Sequence, residues 1–153
     1  MKKIILPLFI CLFIVACGCF IYFNQSVTEY YIVSEYPSTA YGSKKEVKIQ
    51  KVKQYESDSL AIEEEETKYH FMQEDWNRRV EEAKKKNSPS DIMIYTRFRD
   101  EQRCLIKIAH KRLFDYDKFK ELVIQYGSNS TQLETFCENN NVVFSMFPML
   151  SDY

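Results

Sequence analysis

The sequence predicts an α+β protein: an antiparallel sheet of about five short strands, one long amphipathic helix and one or two short helices, preceded by an apolar amino-terminal helix. Three observations carry this expectation. Between Ser59 and Lys86 apolar residues recur at helical spacings; several short stretches alternate apolar with polar residues; and Ile4 to Phe23 is a run of twenty residues without a charge.

The uncharged run follows Met1-Lys2-Lys3, and as a helix it would reach across roughly 30 Å of hydrocarbon. From Asn24 to Ser43 there is no Lys or Arg, so the charge bias across the run keeps the amino end in the cytoplasm. The chain thus divides into a membrane anchor, residues 1–23, and a single domain, residues 24–153, on the periplasmic or cell-surface side. The same leader also reads as an export signal. Within it Ile14-Val15-Ala16-Cys17 resembles the bacterial lipobox, which implies that Cys17 becomes the lipid-bearing first residue of the mature chain. An uncleaved span, a lipid anchor at Cys17 and ordinary signal cleavage stay open, and all three put residues 24–153 outside the cytoplasm.

The first strand is expected over Val27 to Tyr36, a tyrosine and β-branched stretch with Thr28, Tyr30, Ile32, Ser34 and Tyr36 on one side. Pro37 to Ser43 is turn chemistry, and Val47 and Ile49 then alternate with Lys48 and Gln50, which completes a hairpin. The long helix carries Ile62, Tyr69, Met72, Trp76, Val80 and Ala83 on one face and several acid-first i,i+4 ion pairs on the other. Acidic residues gather near its start and Lys84-Lys85-Lys86 at its end, as the helix dipole favours.

Asn87-Ser88-Pro89-Ser90 stops that helix. Ile92, Ile94, Thr96 and Phe98 then alternate, as do Cys104, Ile106, Ile108 and His110, and a second hairpin is expected across Arg99 to Gln102. Tyr95, Phe98, Leu105, Ala109 and Leu113 would equally line one helical face, so a helix is the alternative here. Asp115 is placed to cap a short helix through Tyr126, with Gly127 to end it. Thr131 to Glu134 reads as a capping box, and Val142 to Phe147 as a last strand before Pro148. The expected order is β-β-α-β-β-α-α-β, with the helices on one face of the sheet.

Composition narrows the function. Charged residues make up 28% and aromatics 15% of the chain, a balance that folds rather than stays disordered. With only Gly18, Gly42 and Gly127 there is no glycine-rich loop to cradle a phosphate. Without Lys2 and Lys3 there are 19 basic against 22 acidic residues, a net −3 that offers nucleic acid no general attraction.

Few residues suggest chemistry. Cys104 and Cys137 are the two cysteines beyond the leader and are the disulfide candidates for an oxidising compartment. His70 lies in register with Glu63, Glu66 and Glu74, a set that could hold a divalent metal but is read as a solvated stripe. Asp91, Asp100, Asp115 and Asp117 sit where turns and caps explain them better than acid–base work does. Lys44, Lys45, Lys48, Lys51 and Lys53 are followed by Glu56, Asp58 and Glu63 to Glu66, which would neutralise them on folding. No catalytic, cofactor or metal site is assigned. The function expected is a membrane-anchored, non-enzymatic envelope module that meets a protein partner. The alternatives are a small metal-dependent hydrolase and a spacer that self-associates through the Ile62-to-Ala83 stripe.

Overall fold

The computed structural model describes residues 2–38 and 45–151, with side chains from residue 10 onward. In chain order the elements are α1 (Lys2–Asn24), β1 (Ser26–Tyr36), β2 (Glu46–Lys51), α2 (Asp58–Lys85), α3 (Pro89–Arg99), β3 (Gln102–Lys111), α4 (Tyr116–Tyr126), α5 (Thr131–Asn139) and β4 (Val143–Met149). The strands form one antiparallel sheet in the order β2-β1-β3-β4. The α+β class holds. The first hairpin forms as expected, closing on the pair Tyr36 and Glu46, while most of its turn lies outside the described residues.

Helices cover both faces of this sheet, not one. Tyr31, Val33, Ile106 and Ile108 turn to one side and pack on Phe119, Leu122 and Val123 of α4 and Leu133 and Cys137 of α5. Tyr30, Ile32 and Leu105 turn to the other and pack on Ala61 and Tyr69 of α2. The cause is legible in the two inner strands. Tyr30-Tyr31-Ile32-Val33 and Cys104-Leu105-Ile106 are unbroken apolar runs, and a strand apolar on both sides needs cover on both.

The largest correction falls on residues 89–99. The expected strand from Ile92 to Phe98 is α3, and only the second half of the expected hairpin, β3, is a strand. Pro89 occupies the first helical turn, where its missing N–H is harmless, and Asp91 accepts a hydrogen bond from Ser88 Oγ at 2.7 Å. Asn87, at φ +50, turns the chain back so that α3 lies along α2. Trp76 of α2 then stacks on Phe98 at 4.8 Å and meets Tyr95 at 5.8 Å, two α3 residues three apart and so on one helical face.

Local signals set the remaining ends. Ser57 Oγ accepts from Leu60 N to cap α2, Asp115 Oδ1 accepts from Lys118 N to cap α4, and α4 stops at Gly127. The cap of α5 is Ser130, one residue earlier than the expected box, with Oγ accepting from Leu133 N at 3.2 Å. Strand β4 runs through Pro148 to Met149, which an edge strand tolerates because one side of its backbone has no partner to bond.

Candidate functional site

Strand β1 begins two residues after α1 ends, so the start of β1 lies beside α1 and its far end, Tyr36, lies about 35 Å away. Helix α2 passes that far end. Its Tyr69 hydroxyl donates to the carbonyl of Glu101, the residue before β3, and the sixteen residues from there to Lys85 carry α2 about 24 Å further. The carboxyl half of α2 and the whole of α3 therefore form a helical hairpin at the end of the sheet remote from α1.

A buried polar network fastens this hairpin to the sheet. Gln73 Nε2 donates to Arg99 O at 3.1 Å and lies 2.9 Å from the Tyr69 hydroxyl and 2.8 Å from Ser151 Oγ. Glu101, 1% exposed, is paired with Arg103. Burial first, then the Glu101 carboxylate, pushes the neighbouring Tyr36 hydroxyl up to about 12, so it remains a neutral donor. Gln73 shares the buried face of α2 with Tyr69 and Val80, so helical spacing marks its position although its side chain is polar, whereas Glu101 lies in a charged run that no apolar spacing marks as buried.

The hairpin is thinly covered. Val80 and Ala83 of α2 are buried beneath it, but α3 has no buried residue, and its Met93 and Ile94 are 54% and 44% exposed. Nearer the sheet, a groove of about 470 Å³ runs between β2 and α2 and is lined by Ser34, Tyr36, Lys48, Lys53, Glu65 and Lys68, among others. Its cations are answered one by one: Lys48 by Glu46 at 3.1 Å, Lys53 by Glu64 at 2.6 Å, and Lys68 by Glu64 and the buried Glu65 at 2.9 and 2.7 Å. Burial, with Glu65 as its acceptor, pushes the Tyr55 hydroxyl up to about 12. Of the lysine stretch, Lys53 meets the acidic run that follows it, at Glu64, whereas Lys48 pairs with Glu46 within β2, Lys45 and Lys51 pair with Glu35 and Glu29 on β1, and Lys44 lies outside the described residues.

At the α1 end a second cluster forms on the opposite sheet face. The Glu29 carboxylate accepts from Tyr31 and Lys51, and His110 Nε2 lies 3.4 Å away. Burial would raise this carboxyl, but the bonds to Lys51, Tyr31 and His110 together outweigh it and hold it below the usual range. Every group here is occupied by another.

The residues singled out in the sequence are dispersed. Cys17 lies exposed on α1. Cys104 and Cys137 are both buried, and each is a free thiol here. His70 is half-buried on α2 with Glu63 and Glu66 beside it in a shallow hollow, and among the described residues no group of three His, Cys, Asp or Glu is arranged to hold a metal. Asp115 caps α4, Asp91 bonds Ser88, and Asp100 pairs with Arg99. The stripe expected to self-associate is used within the chain, its Tyr69, Val80 and Ala83 buried and its Trp76 against α3.

The chain matches no family model, and comparison with curated proteins and with solved structures finds no match. Among the described residues, which on α1 include side chains from Ile10 onward, no helix is long and apolar enough to cross a membrane.

Proposed function

We propose that this chain is a membrane-anchored, non-enzymatic envelope module that holds its α2–α3 hairpin away from the bilayer to bind another protein. The anchor rests on the uncharged run Ile4 to Phe23 and the two lysines before it, with the amino end in the cytoplasm and residues 24–153 on the periplasmic or cell-surface side. The observation that carries the binding role is α3. A helix with no buried residue and with Met93 and Ile94 exposed, yet fastened to the sheet through Gln73, is an apolar surface left uncovered among the described residues.

Photo-crosslinking residues placed at Met93 and Ile94 of the full chain, in membranes of the source cell, test this. The expected result is a discrete adduct with a second protein at both positions, lost on Ile94→Asp in the Met93-labelled chain, and none at exposed Glu82 on the outer side of α2. Absence of an adduct at both positions overturns the binding role, and an adduct at twice the chain's 18.3 kDa assigns self-association instead.

A further inference from the structure

The β3–α4 turn lies at the end of the sheet next to α1; its Phe114 packs on Phe119 and Phe136 of the domain core, while Lys111 and Arg112 reach to α1 and the residue that follows it. Arg112 sets its guanidinium 4.0 Å from the centre of the Tyr22 ring, donates to the Tyr22 hydroxyl at 2.9 Å, and donates to Gln25 at 3.2 Å. Lys111 donates to Asn24 at 2.9 Å. Between these cations and Phe114 the chain makes a tight turn, closed by Phe114 N on Lys111 O at 3.1 Å, which leaves Leu113 at its tip, 74% exposed. On the same edge Val143, the first residue of β4, pairs with Ala109 and is 67% exposed. Tyr22 and Phe23 of α1 are also exposed at this level.

From this arrangement we propose that the turn Lys111 to Phe114 is a second membrane contact, in which Leu113 enters the interfacial layer of the bilayer while Lys111 and Arg112 meet lipid phosphates. The inference rests on the anchoring reading of α1 and deepens it. Tyrosine at the end of an apolar helix settles at the headgroup level, and a guanidinium stacked on that ring is carried to the same depth. An exposed leucine beside two cations at that depth has hydrocarbon on one side and phosphate on the other, which is the environment each side chain favours. The neighbouring carboxylates are engaged elsewhere, Asp115 in capping α4 and Glu29 with Tyr31, Lys51 and His110. A single helix leaves a domain free to tilt. A second contact beside it removes that freedom and points the α2–α3 hairpin away from the membrane.

The test uses the full chain in vesicles of phosphatidylcholine and phosphatidylglycerol, with and without bromine on the acyl chains. Trp76, the chain's one tryptophan, lies in the remote hairpin and sets the baseline. In Leu113→Trp the added emission is expected to shift to shorter wavelength and to be lost in the brominated vesicles. Val143→Trp is expected to respond in the same sense, and Met93→Trp to give no loss. Vesicle flotation separates the two readings. A chain that fails to float overturns the anchor and this contact with it, whereas a chain that floats while Leu113→Trp emission is unaffected by bromine overturns the contact alone.

Discussion

Trp76 and Phe98 stack with ring centres 4.8 Å apart and planes 20° from parallel, and this pair joins the two helices of the remote hairpin. Because α3 has no buried residue, Trp76 supplies much of the apolar surface against which it packs. Trp76→Ala is expected to destabilise the chain by roughly 2–3 kcal/mol, below the usual loss for a fully buried tryptophan because the ring is half-buried. Thermal unfolding measures the loss, and hydrogen exchange should show Pro89–Arg99 losing protection while β3 keeps it.

Gly127 ends α4 at φ +83 and ψ 174, a backbone region that only glycine enters without strain. A Cβ there would also lie 3.3 Å from Glu35 Oε1, a contact that the flexible side chain relieves. Gly127→Ala is therefore expected to cost about 1–3 kcal/mol, read as a lowered denaturant midpoint. Gly127→Ala combined with Glu35→Ala should recover little of the loss, since the backbone and not the contact is its source.

Acid sensitivity should trace in part to Glu29. Its folded-state carboxyl is held below the ordinary 4.5, so its contribution is complete above that pH and is lost as the pH falls through the lowered folded value. Glu29→Gln is expected to lower stability at neutral pH and to flatten the decline below 4.5. Denaturant titrations at a series of acid pH values check the slope, and an unchanged slope would remove Glu29 from the account.

The thiols of Cys104 and Cys137 are pushed by burial from 9.0 up to about 11. Trapping of the folded chain should leave both unlabelled, and unfolding should expose both, with no linked peptide pair in the mass spectrum. The folded chain keeps protons that the unfolded chain releases near 9.0, so stability is full below that pH and falls as pH rises towards 11. The double substitution to Ser should reduce that alkaline loss.

The two forms of anchor differ at Cys17. Replacement by Ala removes one thiol from an uncleaved span, and the chain should stay in the membrane through carbonate washing at unchanged mass. A lipid anchor would instead leave an unprocessed precursor of higher mass. Recovery of the full-length wild-type chain in the soluble fraction would remove both.

Sequence alone determined what depends on neighbours a few residues apart. Helix α2 follows from a spacing that puts Tyr69, Val80 and Ala83 on one side, α4 from Asp115 before it and Gly127 after, and the β1–β2 hairpin from two alternating stretches around a turn. Tertiary structure decided wherever the local pattern served two periods at once. Residues 92–98 alternate like a strand and also set Tyr95 and Phe98 three apart, and the helix prevails because Trp76 is there to receive both rings. Tertiary structure also decided the buried polar residues: Gln73, in the apolar register of α2, and Glu101, in a charged run, are buried where Tyr69, Arg99, Arg103 and Ser151, up to 78 residues distant, supply partners. Cys104 and Cys137 show the converse limit. Sequence can count two cysteines, but only the folded chain shows that both are buried in one core as free thiols.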